Sequence, residues 1–252
     1  MIIAQISDTH ISVDHEDGPA RAENLKAVIG ALHALDPAPD LVIHTGDLVN
    51  RGKEEEYDLA TTLLAPLRIP FYPIPGNRDH RGLMAGALKR IGCDLPGNGF
   101  LHYDIEGFPV RLIGLDSQSS LNNKGAFCQD RRAWLQNTLE QEKERPTALF
   151  MHHPPFDIVE AKDPFQFNER EDAQKLEEII AANPQIIRLF CGHAHRSAHT
   201  SFGNRPATTI PSVATSLQKG TQDRMDDRRP PIYLHTYCTE QRAFTTVQHC
   251  VK

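Results

Sequence analysis

Apolar residues in this chain follow two alternating patterns. Short, almost unbroken runs recur at 2–7 (IIAQIS), 40–46 (DLVIHTG), 70–76 (PFYPIPG), 146–153 (PTALFMHH) and 185–193 (QIIRLFCGH). Runs of this length read as strands, and those without polar alternation as strands buried on both faces of a parallel sheet. Between them lie stretches with a helical period. In 21–35, Leu25, Val28, Ile29, Leu32 and Leu35 share one face. Segment 54–67 opens with an acidic first turn that suits a helix dipole. Segment 129–144, with Trp134, Leu135 and Leu139 on one side, and segment 169–182 complete the helices. FLHYDIEG and PVRLIGLDS read as a hairpin turning at Gly107, and the stretch before them as a loop of mixed composition. Past residue 197 only short strand-like pieces follow: AHTSFG, PATTIP, PIYLHTYC and AFTTVQHC. The β-α-β-α-β opening predicts a layered α/β fold. We expect one domain over 1–252, with two facing sheets and helices on the outer faces.

Composition narrows this little. A chain of 252 residues is long enough to bury a sizeable core, and 39% apolar with 24% charged residues is ordinary for a globular protein. The net charge of −6 argues against a broad nucleic-acid surface. The opening MIIAQISDTH lacks the basic and apolar regions of a secretory signal, and no stretch approaches the roughly 18 apolar residues of a membrane span. The five cysteines are scattered, with no CxxC pair. A reduced, cytoplasmic protein is expected, with no membrane partner. Whether it forms a homo-oligomer is left open.

The polar residues change the picture, because they cluster where the strands stop. The first run ends in SDTH (Asp8, His10), the second in TGDLVN (Asp47) and the third in IPGNRDHRG (Asn77, Arg78, Asp79, His80). Two later runs end in MHHPP (His152, His153) and CGHAHR (His193, His195, Arg196). Carboxyl ends of parallel strands converge on one edge, so these clusters should meet there. Taken singly, Gly-Asp and Gly-Asn are commoner as turns. Two histidines in GHAH at a strand end have little packing value, and five such clusters in order point to a site. Aspartate, asparagine and histidine without a thiolate suit Mn, Fe or Zn. Alternate residues of an extended segment share a face, so Asp8 and His10, and likewise His193 and His195, can reach one ion. Seven ligands exceed what one ion takes, which suggests two, with Asp47 as the bridge.

In this order DTH, GDLVN, GNRD, HH and GHAH, over residues 6–196, resemble the calcineurin-like metallophosphoesterases. The resemblance implies a four-layer α/β/β/α sandwich of two facing mixed sheets, with a dinuclear metal site at the strand carboxyl ends. It implies Asp8, His10 and His195 on one metal, Asn77, His152 and His193 on the other, and Asp47 between them. Hydroxide held by the metals would attack phosphorus in line. The contexts QISDTHI, FYPIPGN, GLDS (114–117), QDRRAWLQNTL (129–139), HHPPF, GHAHR and PSVATSLQ (211–218) look like those of class III cyclic nucleotide phosphodiesterases and glycerophosphodiesterases. The expected substrate is therefore a small phosphodiester, a cyclic nucleotide such as cAMP or a glycerophosphodiester. The UDP-diacylglucosamine pyrophosphohydrolases resemble the chain in Gly-Asn-Arg-Asp but lack His-His-Pro-Pro. A phosphomonoesterase of the same superfamily is a further alternative. A non-catalytic scaffold of this fold is the reading from another class; it would predict missing ligands, and none is missing.

The chain departs from the family at Arg78, where most members carry histidine. Arginine can hydrogen-bond a phosphoryl oxygen in bidentate fashion, but with a pKa above 12 it is no proton donor near neutrality. Arg78 and Asp79 are the expected catalytic residues, with Asp79 orienting its neighbour. Asn77, Arg78, His153 and Arg196 are the expected substrate contacts, although an extended backbone would turn His153 away from the metals. His80 is expected to be a solvent-facing loop histidine, His44 a core histidine, and His199 and His249 to have no role. The loop Asp14–Asp17 and segment 219–231 are read as surface loops bordering the cleft, the latter also as a candidate flap.

Overall fold

A computed structural model describes residues 1–96, 99–220 and 228–251. Two mixed sheets face each other. In the first, β1 (Ile2–Ile6), β2 (Leu41–His44) and β3 (Phe71–Pro73) run parallel. The antiparallel β10 (Pro231–Cys238) and β11 (Ala243–Cys250) extend it in the order β11-β10-β1-β2-β3. The second has β4 (Tyr103–Ile105), β5 (Arg111–Leu115), β6 (Thr147–Met151), β7 (Ile186–Cys191), β8 (Ala198–Phe202) and β9 (Arg205–Thr209). Their order is β4-β5-β6-β7-β9-β8, with β5, β6, β7 and β9 parallel.

Alternation along β1 and β2 divides the core. Ile3, Leu41 and Ile43 point to the second sheet, where they join Leu112, Phe150 and Phe190. Ala4, Ile6 and Val42 point outward, to α1 (Gly18–Ala34), α2 (Glu54–Leu64) and α3 (Arg81–Lys89). On the far side, α4 (Gln129–Glu140) and α5 (Arg170–Ala182) cover the second sheet through Leu135, Leu139, Leu176 and Ile180. The result is the expected four-layer sandwich. Every residue of β6 is buried, which is why its sequence is a continuous apolar run. Its Leu149, Phe150 and Met151 side chains each contribute about 1.5–3 kcal/mol relative to exposure. Gln5 ties the sheets together. Its side-chain amide donates to the Cys191 carbonyl at 3.0 Å and to Thr45 Oγ1 at 3.1 Å.

Among the differences from the sequence reading, helix α1 begins at Gly18 rather than 21, and three others have a clear physical reason. Helix α2 ends at Leu64 rather than 67, because Pro66 has no N–H to continue the ladder. Helix α4 ends at Glu140 rather than 144, where its apolar face runs out after Leu139. Helix α3 lies where the sequence suggests a loop. Gly82 and Gly86 dilute its helical signal, but burial of Met84, Ala85, Ala87 and Leu88 overrides that weak propensity. His80 caps this helix, its Nδ1 accepting from the Leu83 amide at 3.2 Å. No described helix is long and apolar enough to cross a membrane.

Candidate metal centre

The loops after β1, β2, β3, β6 and β7 meet at one edge, and their polar side chains form two adjacent clusters. In the first, His195 Nε2 lies 3.1 Å from Asp8 Oδ1 and 3.3 Å from His10 Nε2. In the second, Asn77 Oδ1 lies 3.1 Å from His152 Nε2 and 3.0 Å from His193 Nδ1, and the two imidazole nitrogens are 3.2 Å apart. Asp47 stands between the clusters. Its Oδ2 is 3.5 Å from His10 Nε2, and its Oδ1 is 3.5 Å from His152 Nε2. All seven residues expected to ligate metal are thus gathered, in two groups that share Asp47.

The hydrogen bonds behind the clusters fix which nitrogens carry lone pairs. His152 Nδ1 donates to the Thr45 carbonyl at 2.7 Å, and His195 Nδ1 to the Leu217 carbonyl at 3.1 Å. His193 places Nε2 2.8 Å from Gln166 Oε1. Each ring therefore turns its other nitrogen inward as an acceptor, the arrangement that holds a ligating imidazole in place. Acceptors that face each other at about 3 Å without enough protons call for a cation between them. Without one, charge is balanced by protons. Burial lowers the His152 pKa, but Asp47 and Asp8 outweigh it and lift the group to about 9. Burial raises the Asp47 pKa, but His152 and His10 bring it down to about 2. Asp8 is likewise held well below the carboxylate range, with His195 the main offset to its burial. The donor set of carboxylate, amide oxygen and imidazole fits hard to borderline cations.

The backbone at these positions is not extended, which corrects the argument from alternation. Asp8, His10, Asp47, His193 and His195 all have positive φ, between 45° and 63°. The ends of β1, β2 and β7 thus turn through the left-handed region, a conformation in which Asp, Asn and His are several-fold enriched. Two glycines permit the close approach of the loops. Gly46 has φ +95°, and a Cβ there would lie 2.4 Å from His152 Nδ1. A Cβ on Gly76 would lie 2.2 Å from Asp47 Oδ1.

Around the clusters the expectations divide. Arg78 is exposed and lines a cavity of about 620 Å³ that also reaches His10, Asp47, Asn77, His193 and His195. Its amide donates to Asp47 Oδ1 at 2.7 Å. Asp79 does not orient Arg78. Its buried carboxylate accepts from the amides of Leu48, Val49 and Gly76 at 3.1, 3.2 and 2.9 Å, and from the Tyr57 hydroxyl at 3.1 Å. It clamps the loop after β2 to the loop after β3. Burial, with Asp47 nearby, pushes its pKa up to about 7. His153 is not placed for substrate contact either. It is fully buried, with Nδ1 2.9 Å from Ser117 Oγ and Nε2 3.2 Å from the Asn123 carbonyl, and it backs the ring of His193. Arg196 lines the cavity. His44 is buried, as expected, with Nε2 3.1 Å from Thr9 Oγ1. Residues 221–227 of the candidate flap lie outside the described residues.

Two further residues support the site without being prominent in the sequence. Gln166 holds His193, and nothing in its surroundings marks it. Gln118 directly follows the GLDS motif, and its side-chain amide grips the Gly76 and Asp79 carbonyls at 2.8 and 2.5 Å.

Fold and centre together define a family. Residues 1–197 match the model of the calcineurin-like phosphoesterases, and the chain belongs to that family of metal-dependent hydrolases. Its similarities to individual proteins are more specific. It is 33% identical over 254 residues to a probable glycerophosphodiester phosphodiesterase, GpdQ, of Arcobacter nitrofigilis, covering 98% of this chain and 92% of that one. It is 26% identical over 219 residues to the 3',5'-cyclic adenosine monophosphate phosphodiesterase CpdA of Escherichia coli K12, covering 86% and 77%. A dimetal phosphatase from Danio rerio shares the fold, with a TM-score of 0.70 at 12% identity over 100% of this chain and 99% of that one.

Proposed function

We propose that this protein is a dinuclear metal-dependent phosphodiesterase acting on small diesters, either glycerophosphodiesters or cyclic nucleotides such as cAMP. The observation that carries the reading is the position of Asp47, whose two carboxylate oxygens face separate clusters. Asp8, His10 and His195 would hold one cation, Asn77, His152 and His193 the other, with Asp47 shared. Mn, Fe and Zn all suit these donors. When bound, such a pair supplies a nucleophile derived from water and neutralises charge on the phosphoryl oxygens. The second and third loops place Arg78 at the same opening, where its guanidinium can take a phosphoryl oxygen that gains charge in the transition state. A guanidinium is no proton donor near neutrality, so Arg78 would contribute fixed charge and not a proton to the departing alcohol. The diester preference is supported by the names of the relatives, GpdQ and CpdA.

The test is a substrate panel with Mn-reconstituted protein: cAMP, a glycerophosphodiester, a UDP-sugar and p-nitrophenyl phosphate. A diester should give the highest kcat/KM. Preference for the monoester would overturn the reading, and preference for the UDP-sugar would turn it toward a pyrophosphohydrolase.

A further inference from the structure

We propose that the cavity wall formed by Lys162, Arg196 and Lys219 is a second anion subsite, selecting diesters in which one alcohol arm bears a further phosphate or carboxylate. This rests on the phosphodiesterase reading above. A cavity of about 620 Å³ has the volume of a pocket for a whole small ligand, well beyond the needs of one phosphoryl group. The metal clusters and Arg78 meet the charge of the scissile phosphate. The lining of the remaining space includes Ile158, Ala161, Asp163 and the three cations.

These cations come from three separate segments, and backbone contacts hold each segment. Arg196 follows β7, and its Nη1 donates to the Glu160 carbonyl at 2.6 Å. That bond joins it to the loop that carries Lys162. Lys219 follows the turn Thr215–Leu217, and its amide donates to the His195 carbonyl at 2.9 Å. Gly220, with φ +77°, packs under the guanidinium of Arg196. The carboxylate on this wall, Asp163, is already matched. It pairs with Lys124 at 2.9 Å, and Lys124 also donates to the Phe165 carbonyl at 2.8 Å. Among the described residues, Lys162, Arg196 and Lys219 pair with no carboxylate. A solvated face of ordinary composition would mix the signs. Here three cations collect at the mouth of the site in a chain of net charge −6.

A diester with an anionic arm would place its second charge against this wall while the scissile group sits at the clusters. A choline arm would be repelled. The experiment compares p-nitrophenyl diesters whose second arm is ethyl, choline or phosphoethyl, so that the leaving group and its chemistry stay constant. The phosphoethyl diester should exceed the ethyl one in kcat/KM on the order of tenfold, as expected from several exposed ion pairs acting together. The choline diester should be poorest, and the advantage should shrink between 50 mM and 500 mM salt. In the double variant Lys162→Glu, Lys219→Glu, the phosphoethyl-to-ethyl ratio should fall to about one or below. Equal rates for ethyl and phosphoethyl diesters, or a ratio unmoved by the double variant, would overturn the subsite. Failure to cleave any of the three diesters would instead overturn the phosphodiesterase reading.

Discussion

Gln118 donates its side-chain amide to the backbone carbonyl of Asp79 at 2.5 Å while holding the Gly76 carbonyl at 2.8 Å. One amide thus closes both ends of the turn that presents Asn77 and Arg78. Gln118 is itself fixed, its carbonyl accepting from Arg81 and Arg131 and its amide donating to Asp116. Gln118→Met keeps the volume and removes both donors. It should weaken cation binding at the Asn77 cluster by about tenfold or more, as loss of a ligand-orienting contact does, and leave the Asp8 cluster near its wild-type affinity. Calorimetric titration with Mn²⁺ separates the two sites. Equal weakening of both would show that Gln118 supports the fold and not this turn.

Arg78 and His80 lie two residues apart and do different work. Arg78→Ala should lower kcat/KM at every pH by about 2–3 kcal/mol of transition-state stabilisation, the cost typical of losing one such donor. The shape of the pH profile should not change, because no titrating group is lost. His80→Ala should leave kcat/KM unchanged and cost about 1 kcal/mol of stability through loss of the α3 cap. If His80→Ala instead removed the alkaline limb of the pH profile, where a general acid loses its proton, His80 would be the missing proton donor.

His102 sets a pH limit on stability away from the metal centre. It stacks on Trp134 with ring centroids 4.9 Å apart, and its Nδ1 accepts from the Asp116 amide at 3.0 Å. Burial, with help from Arg131 and Arg81 against Asp116, lowers its pKa to about 4. Above pH 6.5 the ring is neutral whether folded or unfolded and adds no pH dependence. Between pH 6.5 and 4 the unfolded chain takes up a proton that the folded one refuses, so stability falls with pH. The loss reaches about 2 kcal/mol near pH 4.5. Urea unfolding of His102→Phe should show a shallower decline from pH 7 to 4.5 than wild type. Parallel curves would assign the acid sensitivity to other groups.

The two clusters are legible in the sequence because each of their residues follows a strand whose apolar run is easy to see, and because the residue types come in a recognisable order. Asp79 and His153 depart from the roles their sequence positions suggest for one reason. Their neighbours in sequence are site residues, but their side chains point to backbone amides and to Ser117 and Asn123, partners that only the folded chain brings near. Helix α3 was hidden by Gly82 and Gly86, whose poor propensity is overcome by packing that one sequence does not display. Gln118 and Gln166 carry no local pattern at all, and their importance comes from carbonyls and rings far away in the chain.

The left-handed backbone at Asp8, His10, Asp47, His193 and His195 restricts which residues these positions can hold, apart from any metal. Aspartate, asparagine, histidine and glycine enter that conformation readily, while valine or isoleucine would be strained there by a few kcal/mol. The side chains that tolerate the turn are largely those that can bind a cation. A descendant that had lost its cations, and catalysis with them, would therefore still be drawn toward the same letters at these places. Among distant relatives the motif alone is thus a record of loop shape, and activity has to be read from whether the inward nitrogens and oxygens still converge.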